Sequence, residues 1–77
     1  MSTTMDTAYH QDQAQAAAEV LANSSVSELR KLRVDGSDTE LTLRGNVGSF
    51  YHKQLAQETV RTVAEGKQVV NLISVEI

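Results

Sequence analysis

Residues 43–58 read LRGNVGSFYHKQLAQE, a stretch that begins as a strand and ends as a helix, with two glycines at the join. Gly45 lets the backbone bend or approach a neighbour where a side chain would obstruct it. Gly48 is free to take a positive φ at no steric cost. Ser49 is a good N-cap, because its hydroxyl accepts from the unpaired N–H groups of a first helical turn. From Phe50 the pattern predicts a helix to about Glu65, stopped by Gly66 in a left-handed position. At about 100° per residue, Leu55, Ala56, Val60, Val63 and Ala64 share one side of that helix, and Gln54, Gln57, Glu58, Arg61 and Glu65 the other. A helix so divided packs on something flat.

The flat element is legible on both sides of the corner. Upstream, Leu32 and Val34 alternate with Lys31 and Arg33, and Leu41 and Leu43 alternate with Thr42 and Arg44. Period two on both sides of a polar break reads as a hairpin. The break, Asp35-Gly36-Ser37-Asp38-Thr39, exceeds a two-residue turn, so a loose loop is expected. Downstream, in KQVVNLISVEI, Val69, Asn71, Ile73 and Val75 fall on one face of a strand, and Val70, Leu72, Ser74 and Glu76 on the other. Before the hairpin, QDQAQAAAEVLANSS places Ala14, Ala17, Ala18 and Leu21 on one helical face and ends at Asn23-Ser24-Ser25. The order is therefore α-β-β-α-β. The fold class is α+β: a three-stranded mixed sheet with both helices on one face; whether the last strand lies beside the first or the second is left open by the sequence, a right-handed crossover favouring the second. Residues 1–10 read as a flexible N-terminal tail, and 11–77 as the domain.

A chain of 77 residues allows one domain with a thin core. It has no cysteine and no proline, which removes disulfides and thiolate zinc sites and leaves helices uninterrupted. A net charge of −3 argues against a nucleic-acid partner. The N-terminus, MSTTMDTAYHQDQ, lacks the basic start and apolar run of a signal peptide. The expected compartment is the cytoplasm, or the periplasm if a leader precedes this sequence.

The run Gly45-x-Val47-x-Ser49-x-x-x-Lys53-x-x-Ala56 resembles the centre of the BON domain, named for bacterial osmotic-stress and nodulation proteins. Leu41-Thr42-Leu43-Arg44-Gly45 is similar to that family's second strand and turn, and Val69-x-Asn71-x-Ile73-x-Val75 to its closing strand. The resemblance covers roughly Val20 to Ile77 as a single copy and implies the same α-β-β-α-β fold. It also implies binding to phospholipid or similar surfaces, a setting often periplasmic or membrane-associated, and no established catalytic residues. Two departures from the family's pattern are a longer hairpin loop and Lys67-Gln68 between Gly66 and the last strand.

The residues themselves point away from catalysis. His52 reads as a half-buried histidine bonded locally, and His10 has nothing beside it. The Asp35–Glu40 loop holds only fragments of a calcium loop. Ser49 lies in Val-Gly-Ser-Phe-Tyr, not in a nucleophile elbow, and no histidine follows position 52. We therefore expect no enzyme, no cofactor and no metal. Asn71, among apolar neighbours, requires hydrogen-bond partners, expected from the backbone of the corner at Gly45 to Gly48. Gly45, Gly48, Ser49 and Asn71 together form that structural corner. Of Phe50 and Tyr51, adjacent on a helix, one is expected over the core edge and one in solvent.

Pleating sends Lys31, Arg33, Thr42, Arg44, Val70, Leu72 and Ser74 to the sheet face opposite the helices. Most carboxylates are expected on the helices, the N-terminal segment and the hairpin loop, with Glu40 and Glu76 near strand ends. The candidate binding surface is thus a basic, partly apolar plate of Lys31, Arg33, Arg44, Val70 and Leu72. Its candidate partners are a phospholipid membrane or another anionic surface, or a protein, including a second copy in a homo-oligomer.

Overall fold

The computed structural model describes residues 12–77, so the tail read over residues 1–10, including His10, lies outside the described residues. Helix α1 covers Asp12–Ala22 and the short helix α2 Ser27–Arg30. Strands β1 (Arg33–Gly36), β2 (Glu40–Arg44) and β3 (Asn46–Val47) follow, then helix α3 (Phe50–Arg61) and strands β4 (Gln68–Asn71) and β5 (Ser74–Val75). β1 lies antiparallel to β2, with Arg33 opposite Arg44 and Gly36 opposite Leu41. β4 lies parallel to β2 on its other side, with Leu43 opposite Asn71. The fold is α+β with a mixed sheet, and the last strand sits beside the second, the neighbour that the sequence favoured without fixing.

β3 and β5 form a second, parallel pair, Asn46 opposite Ser74. Both parallel pairs share an offset of 28 residues (68 − 40 and 74 − 46), so one register runs through the kink at Gly45. The N–H groups of Gln68, Leu72, Ser74 and Glu76 donate in turn to the carbonyls of Thr39, Leu43, Gly45 and Val47, at 2.9, 3.0, 2.9 and 2.8 Å.

Leu41 and Leu43 of β2 are fully buried between exposed Glu40 and Arg44, which is the inward row of a pleated strand. Leu32 and Ile73 join them, with Ala17 and Leu21 from α1, Leu29 from α2, and Ala56 and Val60 from α3. Val34, Val69 and Val75 pack against this cluster at its margins.

Four local expectations are corrected. Between Ser25 and Leu32 the chain forms α2, which fixes Leu29 in the core; Val26, Leu29 and Leu32 recur every three residues, the signal of one short turn. Ala18 is exposed, and α1 packs through Ala14, Ala17 and Leu21. Gly36 belongs to β1, and a Cβ there would meet Ala14 Cβ at 2.7 Å, so the alanine helix approaches the strand closely. The hairpin loop is therefore only residues 37–39, tightened by Ser37 Oγ, which accepts from the N–H groups of Thr39 and Glu40 at 3.3 and 3.1 Å. Finally, α3 ends at Arg61 rather than Glu65. The N–H groups of Thr62, Val63 and Ala64 bond to carbonyls three residues back, and Thr62 Oγ1 donates to Thr59 O at 2.7 Å, so the last turn tightens. Gly66 therefore does not stop the helix, whose cap at Thr62 is right-handed; Glu65 and Gly66, with φ of 51° and 90°, turn the chain several residues later toward β4.

Candidate binding site on the open sheet face

The corner between β2 and α3 sets the site. Gly45 has a φ of 136°, and a Cβ there would lie 2.7 Å from Leu32 Cδ2. Both conformation and space thus require glycine. Gly48 differs from expectation: its φ is not positive, and a Cβ would make only an ordinary contact, 3.7 Å from Glu28 Oε1. Its N–H donates to that carboxylate at 2.8 Å, so α2 is tied to the corner by a charge-assisted bond that the sequence did not reveal. Ser49 caps α3 as expected, its Oγ accepting from His52 N–H at 3.2 Å and lying 2.9 Å from His52 Nδ1.

Asn71 does not bond to the corner backbone. Its Nδ2 donates to Lys53 O at 2.9 Å and Gln57 Oε1 at 3.2 Å, and its Oδ1 accepts from Ile73 N–H at 3.2 Å. It stands opposite Leu43, beneath α3, so the nearest polar groups are those of the helix. Phe50 and Tyr51 are both exposed, at 67% and 70%, which corrects the expectation that one covers the core. The inward line of α3 passes through His52, Ala56 and Val60, and Tyr51 instead sets its ring edge-on to His52 at 5.4 Å.

The outward face carries the candidate plate. Arg33 stands opposite Arg44, and the 28-residue offset sets Arg44 opposite Leu72 (72 − 44). Lys31, Arg33 and Arg44, with Gly45 and Asn46, line a shallow depression of ≈ 310 Å³. Leu72 is 52% exposed, and Val70, opposite Thr42, is half-buried.

The face is less purely basic than the sequence suggests. Asp35 is a strand residue, not a loop residue, and its Oδ2 lies 2.9 Å from Arg44 Nε. Glu28 Oε2 lies 3.9 Å from Lys31 Nζ. Alternation also turns Glu40 and Glu76 to this side. The cations therefore form a band across the sheet, with carboxylates at the hairpin end and at the corner end. The ion pairs are exposed, so each contributes little and opens readily to a competing anion. Among the described residues Arg33 makes no ion pair.

Two further observations bear on chemistry. Among the described residues no helix is long and apolar enough to cross a membrane, and no group of three or more His, Asp or Glu side chains is placed to hold a metal ion. The model of the BON domain matches residues 10–77, nearly the whole chain. The chain belongs to the BON domain family. This is a family of binding modules associated with phospholipid, not of catalysts. A comparison with curated proteins finds no match. Among the residues that carry the resemblance, the structure gives Gly45, Ser49 and Asn71 three distinct tasks: bending a strand, capping a helix, and tying β4 to that helix.

Proposed function

We propose that this BON domain attaches weakly and reversibly to anionic phospholipid through the band of Lys31, Arg33 and Arg44, with Leu72 beside it. The observation that supports the reading is the depression those three cations line, open among the described residues, next to the half-exposed leucine. Phosphate groups of a lipid surface are the acceptors that such donors fit. Each cation near an anionic membrane contributes about 1 kcal/mol. Three such charges give a single-site affinity no tighter than about millimolar, since 1 mM corresponds to ~4 kcal/mol. Several copies at one surface, or a second anchor, raise it by effective concentration.

Sedimentation with vesicles rich in phosphatidylserine tests this. The protein is expected to pellet at low salt and to be released at high salt, because exposed charges are screened. The double variant Lys31→Glu, Arg33→Glu is expected to stay in the supernatant, while a cooperative thermal melt reports that it is folded. Undiminished pelleting of that variant overturns the reading. A dimeric mass in light scattering that falls to the monomer on Leu72→Asp assigns the same face to self-association instead.

A further inference from the structure

Among the described residues, the two edges of the three-stranded sheet, β1 and β4, are unlike. β1 carries Arg33 and Asp35, and α1 approaches it closely at Gly36. Charge and cover are the usual means of keeping an edge from pairing with another chain. β4, Gln68-Val69-Val70-Asn71, has neither charge nor proline. Since Gln68 and Leu72 donate toward β2, alternation turns the N–H and C=O groups of Val69 and Asn71 the other way, to the open edge. The next donor in that row, Ile73 N–H, is already held by Asn71 Oδ1 at 3.2 Å. The available ladder is therefore short and has a defined end.

A trough runs beside this edge. One depression of ≈ 230 Å³ is lined by Phe50, Lys53, Gln57 and Asn71 among others. Another of ≈ 340 Å³ is lined by Gln57, Arg61, Lys67 and Val69 among others. Gln57 is common to both, so they continue one another between α3 and β4. Lys53, Arg61 and Lys67 border the trough against the single carboxylate of Glu58, which itself lies 3.6 Å from Arg61 Nη1. Phe50, 67% exposed, stands at one end.

We propose that this trough takes an extended acidic peptide from a partner protein, added to β4 as a further strand. Its backbone pairs with Val69 and Asn71. Alternate side chains enter the trough, where carboxylates meet Lys53 and Arg61, while Lys67, its Nζ donating to Ser37 O at 2.6 Å, adds its charge at the border. Main-chain bonds supply affinity and alternate side chains supply choice, as in other cases of strand addition. The trough is separate from the outward cationic band, so lipid and peptide occupy different surfaces of the domain.

The test is titration of the isotope-labelled protein with a peptide of about eight residues alternating valine and glutamate, long enough for one strand. Amide shifts are expected to centre on Val69 and Asn71 and to extend along Phe50–Arg61. N-methylation of one set of alternate peptide amides is expected to abolish them, and of the other set to be tolerated, because only one set faces the edge. A valine–lysine peptide, and the double variant Lys53→Glu, Arg61→Glu, are each expected to bind the matched probe at least about tenfold more weakly, a loss of ~1.4 kcal/mol. The variant's thermal melt, recorded alongside, reports that it is folded. The proposal is overturned if both N-methylated peptides bind like the parent, if shifts centre on Arg33, Arg44 and Leu72 instead, or if millimolar peptide moves nothing on the edge.

Discussion

Gly45 and Gly48 stand three residues apart at one corner, and in the sequence each has its own reason to be glycine, a bend or close approach at the first and a positive φ at the second. The structure separates them. At Gly45 the backbone is in a region that side chains rarely adopt, and Leu32 fills the space a Cβ would need. At Gly48 the backbone is ordinary and the space is open apart from the Glu28 carboxylate. The difference follows from what lies on either side. Gly45 is inside the parallel ladder, where Ser74 N–H must reach its carbonyl at 2.9 Å while the strand turns over the core. Gly48 lies after that ladder, on the way into a helix whose entry is set by the Ser49 cap. A glycine is demanded where two constraints meet, and merely accepted where there is one.

The strongest way to break this contrast is Gly45→Ala. Strain at a disfavoured φ costs about 1–3 kcal/mol, and forcing a methyl into Leu32 adds about 1–3 more. The expected loss of roughly 3–5 kcal/mol is most of the stability of a small domain, and the thermal midpoint should fall by tens of degrees. Adding Leu32→Ala is expected to recover the packing part and not the strain, so the double variant should be about 1 kcal/mol better than the sum of the single losses. Circular-dichroism melts of the three variants decide it. A Gly45→Ala protein that melts within a few degrees of the parent removes the argument for two constraints.

How much of this was legible beforehand depends on what each feature rests on. The three main strands and the inward row Leu41, Leu43, Ile73 follow from period-two alternation, which burial enforces directly, and they are found as read, although the short helix α2 and the split of the last strand at its kink were not. Ser49 was legible because a cap is a local bond between neighbours. Features that depend on what crosses the core were not. The partners of Asn71 lie 18 and 14 residues away on α3, and sequence cannot tell that helix from the corner beneath it. Glu28 was not singled out at all, because its bond spans 20 positions. The site suffered most: the cations were placed by parity, but Asp35 moved from loop to strand when the hairpin tightened by two residues, and it brought a carboxylate to Arg44.

A smaller effect sharpens the corner on its helix side. Ser49→Ala removes the acceptor for His52 N–H, so α3 should lose about 1 kcal/mol, within the range known for N-caps. Ser49→Asp keeps an acceptor and adds a charge favourable to a helix start, so it is expected to match or exceed the parent. If alanine and aspartate prove equivalent in chemical denaturation, the Ser49 bond is incidental and the corner is held from Gly45 alone.

The smallest effect, opposite in sign to the losses at Gly45→Ala and Ser49→Ala, is expected at Gly48→Ala. An alanine there narrows the unfolded ensemble, which stabilises by about 0.4–1 kcal/mol where the native backbone accepts it. The native backbone at Gly48 is not in the positive-φ region, and the added carbon meets Glu28 Oε1 at van der Waals distance, 3.7 Å. What can oppose the gain is the carboxylate, since Glu28 must still reach the N–H of residue 48, now 2.8 Å away. A small increase in midpoint means that this bond survives and that Gly48 is dispensable. A decrease of more than about 1 kcal/mol means that the methyl displaces Glu28, and the same loss should then be absent when Glu28→Ala is already in place. That pair of measurements distinguishes a glycine retained for its own backbone from one retained for the reach of another residue's side chain.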